Sequence, residues 1–366
     1  TLLCVTTLTA SMLAGCGSAG TGTEPKDTTK EPGKETQQEA EGKVLNIYCW
    51  NEEFKDRIKD HYPGYKEVNG TTGTIGDVTV KWNTTPSKDN AYQKNLDEAL
   101  LRQADAKADD KIDIFLVEAD YALKYIDTDY AMKISDLGIT EADLKNQYPY
   151  TQDIVTDSKG DLKGVSWQAC PGLLVYRRDI AKTVFGTDNP DDIQKYVADW
   201  KTFQETAGKL KSQGYHITSS AVDTYRTFSN NVTSKWVEDG KIHIDDNIMN
   251  WVKLSKEMVD AGQTGTYELW GDDWSKGFFP EGDVFCYFGP AWFVDFSMSA
   301  KTEGSVGYNG GWAVTEGPQG YFWGGTWICG ATGTDNASLV KDIMLKLTTD
   351  ETIMTDIVAD DNDFVN

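Results

Sequence analysis

Val44-Leu45-Asn46-Ile47-Tyr48-Cys49-Trp50, followed by Asn51-Glu52-Glu53, is the stretch that decides the fold. A short apolar run of this kind reads as a buried strand. A helical run begins at Phe54, and Val78-Thr79-Val80-Lys81-Trp82 predicts a second strand. A helix follows from Ala91, because Tyr92, Leu96, Ala99, Leu100 and Gln103 fall on one face. Ile112 to Val117 gives a third strand, ending at Glu118-Ala119-Asp120-Tyr121. Strand, helix, strand, helix, strand predicts an α/β fold with a parallel sheet and helices on both faces.

The alternation continues downstream. Asp157-Ser158-Lys159-Gly160-Asp161 lacks the order and terminal Glu of a calcium loop, and predicts a hairpin turn into Leu162-Lys163-Gly164-Val165. Gly172 to Tyr176 and Val284 to Phe288 read as buried strands, the second stopped by Gly289-Pro290. A helix starts near Asp199, with Trp200, Phe203, Ala207 and Leu210 as its core stripe and Gly214 closing it. Leu339, Val340, Ile343, Met344 and Leu347 predict a late amphipathic helix. Residues 43–366 exceed the size at which one core stops growing, so two lobes are expected.

Upstream, residues 17–42 carry no aromatic residue and no Val, Ile or Leu, which predicts a disordered tether. Before it, Leu2 to Leu13 is an apolar segment of signal-peptide length, too short to span a bilayer permanently. It ends in Leu13-Ala14-Gly15-Cys16, which resembles a bacterial lipobox. That resemblance implies a signal in residues 1–16, cleavage before Cys16, a lipid on its sulfur, and a protein held at the outer face of the cell membrane. The start Met and basic n-region are absent, so the front reads as trimmed.

With 35 Lys and Arg against 58 Asp and Glu, the formal charge is −23. Such a surface repels nucleic acid and anionic headgroups as direct ligands. Beyond Cys4 and Cys16, the scattered Cys49, Cys170, Cys286 and Cys329 form no C-x-x-C pair, so neither zinc nor a thioredoxin-like motif is expected. Buried free thiols are the plain expectation, with one disulfide the alternative outside the cytoplasm. The three histidines, His61, His216 and His243, sit in polar contexts away from any G-x-S-x-G. No H-E-x-x-H, P-loop or G-x-G-x-x-G follows a strand. No catalytic residue, metal or cofactor is expected.

The chain holds twelve tryptophans, and their placement is informative. Trp50, Trp167, Trp292 and Trp327 lie at or near strand ends, where open α/β sheets bind ligands. An indole face there suits the C–H face of a sugar ring, and nearby amides and carboxylates take its hydroxyls. Trp50, Trp292 and Trp327 read as ligand contacts. Trp82, Trp200, Trp236 and Trp251 read as packing residues, whereas Trp167, Trp270, Trp274 and Trp323 fit either role.

At these residues the sequence resembles the extracellular solute-binding lipoproteins of ABC sugar importers, of the maltodextrin-binding type. The motifs are Trp50-Asn51-Glu52, Glu118-Ala119-Asp120, Gly160 to Trp167, Leu174 to Ile180, Asp199-Trp200-Lys201-Thr202-Phe203, Gly282 to Trp292, and Gly324-Gly325-Thr326-Trp327-Ile328 with Thr348 to Glu351. The resemblance runs from Lys43 to the end and implies a two-lobed periplasmic-binding-protein-like fold of type II, with the ligand cleft between the lobes. It places 43–168 plus 320–366 in lobe one and 169–319 in lobe two, with chain crossings near 168–171 and 310–324. A third crossing is usual, so the C-terminal end is expected to be truncated after Asn366.

Carried over by position, the resemblance implies ligand contacts at Trp50, Asn51, Glu52, Glu118, Asp120, Trp167, Gln168, Trp292, Gly325, Thr326 and Trp327. It implies a non-enzymatic monomer that captures a sugar or oligosaccharide and delivers it to an ABC transporter permease. Two alternatives stand beside it: a lipid-anchored glycoside hydrolase using cleft carboxylates, which linear sequence does not test, and a binding protein for a non-sugar solute.

Overall fold

The computed structural model describes residues 42–361 and 365–366. The lipobox with Cys16, and residues 17–41 of the expected tether, lie outside the described residues. Gly42, the last residue assigned to that tether, is already packed. Its N–H donates to the Asp335 carbonyl at 2.7 Å.

The opening stretch forms β1 (Val44–Cys49) and α1 (Glu53–His61). Leu45, Ile47 and Cys49 of β1 are fully buried, and Phe54 and Ile58 pack α1 onto the same core. Acidic Glu53 and Asp56 in the first turn of α1, and Lys59 and His61 in the last, complement its dipole. A hairpin that the sequence reading omitted follows, as β2 (Tyr65–Asn69) and β3 (Thr72–Ile75). Next come β4 (Val78–Thr84), α2 (Ala91–Leu101) and β5 (Ile114–Glu118). Tyr92, Leu96, Ala99 and Leu100 are the buried face of α2, as their spacing predicts.

Further along lie β6 (Val165–Ser166), β7 (Leu173–Arg177), a small exposed pair β8 (Val237–Glu238) and β9 (Lys241–Ile242), β10 (Cys286–Gly289), β11 (Trp312–Thr315) and β12 (Thr326–Gly330). Asp199 caps the helix Trp200–Ser212 by accepting the Thr202 N–H at 2.7 Å, and Phe203, Ala207 and Leu210 are buried on it.

The first sheet has seven strands in the order β2-β3-β4-β1-β5-β12-β6. The three strands read from the sequence, β4, β1 and β5, are parallel as expected, but the whole sheet is mixed. β1 is parallel to β4 and β5, while β3 is antiparallel to both its neighbours and β12 returns antiparallel to β5 and β6. The second sheet, β10-β7-β11, is antiparallel throughout, a second correction. Its apolar runs resemble those of a parallel sheet because helices and loops bury it, and burial sets composition more directly than strand direction does. Each sheet carries its own core. Tyr176, Phe203, Phe285 and Tyr287 lie in one, Ile47, Phe54, Ile114 and Ile328 in the other. Two sheets, each with its own core, agree with the two-lobed α/β fold that the resemblance implies.

Cys49, Cys170, Cys286 and Cys329 are buried free thiols. Burial pushes the Cys49 thiol up to about 11. Among the described residues no helix is long and apolar enough to cross a membrane.

Candidate functional site

β4 and β5 flank β1 on opposite sides, so the chain reverses its direction of winding there. Such a switch point leaves a crevice at the carboxyl ends of the strands. Trp50 leaves β1 at that end, and Glu118 is the last residue of β5. Because β12 is antiparallel, its first residue, Thr326, pairs with Glu118. Gln168 follows β6, and Trp292 follows the Gly289-Pro290 stop after β10.

These strand ends enclose a cavity of about 820 Å³. Of the residues singled out from sequence, Trp50, Asn51, Glu52, Glu118, Gln168, Trp292, Gly325 and Thr326 line it. Trp50 is half-buried, with its ring edge-on to Tyr92 at 5.6 Å and to Tyr121 at 6.2 Å. Trp292 is also half-buried. Its Nε1–H donates to the Trp323 carbonyl at 3.1 Å, and its ring stands edge-on to Trp323 at 5.5 Å. Gln168 donates to Glu53 Oε1 at 2.6 Å, while Glu52 pairs with Lys55. The wall between Trp323 and Thr326 is bare backbone. Gly325, at φ +113°, adopts a conformation that a side chain would strain, and a Cβ there would sit 3.0 Å from the Trp327 ring.

Three expected contacts are not brought to the cavity. Trp167 and Trp327 are each 1% exposed. Trp167 stacks on Phe54 at 5.4 Å, and the Trp327 Nε1–H donates to the Thr151 carbonyl at 2.7 Å. Successive side chains of an extended segment face opposite ways, so Gln168 and Thr326 reach the cavity while their neighbours enter the core. Asp120 stands apart from the lining and instead accepts from both Arg226 Nη atoms, at 2.5 and 2.6 Å. Trp236, expected to pack, is 51% exposed.

Sequence reading missed Glu53, Asp56, Arg57 and Asp60, which line the cavity from α1. Their spacing of three and four along one helix face was a usable signal. Trp323, left open between two roles, also lines it, as do Phe296 and Lys301. Among the described residues, no group of three or more His, Cys, Asp or Glu side chains is arranged to hold a metal ion.

A family model for bacterial extracellular solute-binding proteins matches residues 67–363. The chain belongs to that family. Three solved structures share the solute-binding fold. An extracellular solute-binding protein of family 1 is 17% identical, with a TM-score of 0.71 over 88% of this chain and 78% of that one. The sugar-binding protein MalE from Xanthomonas citri is 16% identical, with a TM-score of 0.63 over 88% and 78%. An ABC transporter associated binding protein from B. animalis subsp. lactis Bl-04, solved with β-1,6-galactobiose, is 18% identical, with a TM-score of 0.56 over 85% and 73%. At these identities the likeness is one of fold. Comparison with curated proteins found no match.

In this solute-binding protein Glu118 is a strongly perturbed group of the cavity wall. Burial raises its carboxyl to about 7, and Asp120 adds to the rise. The Asp120 N–H, which donates to Glu118 Oε2 at 2.8 Å, and the Arg226 guanidinium oppose it. Near neutral pH the group therefore exists in both forms, able to accept two hydrogen bonds or to donate one.

Proposed function

We propose that this solute-binding protein captures a sugar or oligosaccharide in the cavity and delivers it, unchanged, to the permease of an ABC transporter. The observation that carries the reading is the pairing of half-buried indoles, Trp50 and Trp292, with hydrogen-bonding side chains at one set of strand ends. Indoles take the C–H faces of a sugar ring. Asn51, Glu52, Glu118 and Gln168 take its hydroxyls, and the bare backbone at Gly325-Thr326 lets a ring approach closely. The fold relatives that bind sugar, MalE and the protein solved with β-1,6-galactobiose, support the same class of ligand.

In this reading the lobes are 43–168 plus 320–366 and 169–319, and ligand closes them about the connecting segments near 168–171 and 310–324. A lipid on Cys16 holds the monomer to the outer face of the membrane. A thermal-shift screen across mono- and oligosaccharides tests the ligand class. A ligand that binds only the folded state raises stability by about 2.7 kcal/mol at roughly 100-fold excess over its dissociation constant. No shift with any carbohydrate rejects the reading. Chromatography of the ligand after incubation separates capture from glycoside hydrolysis, since only a binder returns it intact.

A further inference from the structure

Trp270 is a bulky residue in a left-handed backbone conformation, φ +70°, and is 51% exposed. Such a conformation is costly for a side chain of this size, and positions that need it are ordinarily filled by Gly or Asn. Here the strained turn holds an indole half in water, so turn preference does not account for the residue and packing accounts for only part of its surface. Strain kept in this way points toward a ligand site when geometry agrees.

The geometry does agree. The Trp270 ring contacts Trp323 at 5.5 Å between centroids, and Trp323 in turn contacts Trp292 at 5.5 Å. Trp292 and Trp323 both line the cavity, so the aromatic wall continues by direct ring contact from the cavity to the exposed Trp270. Beneath it, the buried Trp274 meets the Trp270 ring at 5.1 Å and an interplanar angle of 62°, and Phe293 meets it at 6.0 Å, which fixes its orientation. A flat face that is both rigid and open loses little entropy when a ligand ring settles on it.

We propose that Trp270 is an outer stacking platform, so that the site takes an oligosaccharide whose distal unit leaves the cavity and lies on this indole. The inference rests on the carbohydrate reading of the cavity and adds a subsite and a minimum ligand length to it. The test is calorimetric titration of the wild type, Trp270→Ala and Trp270→Phe with malto-, β-galacto- and xylo-oligosaccharides of graded length, beside a ligand-free melt of each protein. Wild-type affinity is expected to rise with length in the series that binds. Trp270→Ala should weaken the longest ligand about tenfold and leave the shortest within about twofold, with part of the loss recovered in Trp270→Phe. An equal loss at every length marks a packing residue and overturns the proposal, as does an unchanged affinity for the longest ligand. Binding that does not improve with length overturns it while leaving the carbohydrate reading in place. Failure of every carbohydrate to bind overturns that reading and this inference together.

Discussion

Arg226, on the helix Tyr225–Ser229, donates to both carboxylate oxygens of Asp120 just beyond β5, at 2.5 and 2.6 Å. Its guanidinium also lies 5.5 Å over the Trp323 ring. One side chain thus joins the turn after β5 of the seven-stranded sheet to an aromatic residue of the cavity wall. Asp120, expected to touch ligand, is taken by this ion pair, which under the lobe division proposed above would latch the two lobes. An ion pair this exposed is worth about 1 kcal/mol or less, which shifts a closure equilibrium by up to about fivefold. Arg226→Ala should enlarge the ligand-free radius of gyration measured by small-angle scattering, and a tight ligand should restore the compact value. A variant as compact as the wild type without ligand would remove the latch role.

Glu118 should make ligand-free stability depend on pH. Its folded-state carboxyl is raised to about 7, chiefly by burial, with Asp120 and Arg226 the charged groups facing it and Tyr121 beside it. A raised acid stabilises fully below its unfolded value near 4.5, and that contribution is lost as pH climbs through about 7. Glu118→Gln should therefore match the wild type near pH 4 and exceed it at pH 8, by on the order of 1–2 kcal/mol. Chemical denaturation at the two pH values checks this. An equal difference at both would show that the carboxyl titrates normally.

Trp292 and Trp327 should separate binding from folding. Trp292→Ala removes a cavity indole and should weaken ligand about 30- to 1000-fold, or roughly 2–4 kcal/mol. Trp327→Ala removes a fully buried indole and its hydrogen bond to Thr151, and should cost about 3–5 kcal/mol of stability. The fraction that still folds should bind nearly normally. Titration calorimetry beside ligand-free melts measures both effects, and the reverse pattern would exchange the two roles.

Cys16→Ser should release the protein from membranes into the medium. The basis is the Leu13-Ala14-Gly15-Cys16 stretch ahead of a polar segment poor in apolar residues. Fractionation of cells expressing the variant decides the matter, since unchanged membrane association rules out anchoring through this cysteine.

Sequence alone determined the features set by local periodicity and punctuation. The buried strand at Val44–Cys49, the amphipathic α2, the Asp199-capped helix and the Gly289-Pro290 stop were all legible, because side-chain spacing, capping and the missing proline N–H act within a few residues. Strand ends and the proline stop were enough to mark Trp50 and Trp292 as site candidates, and the family resemblance added Glu118, Gln168 and Thr326. Strand direction and partner choice were decided only by the tertiary structure. A strand's hydrogen bonds go to residues far away in the chain, as where Thr326 meets Glu118, so composition does not fix whether a neighbour runs parallel or antiparallel. The same limit put Trp167 and Trp327 in the core beside cavity-lining neighbours. Alternation says that adjacent side chains part company, but only the packed sheet decides which face is the core. Arg226 and Asp120 stand 106 positions apart, and no local rule pairs them until the chain has packed.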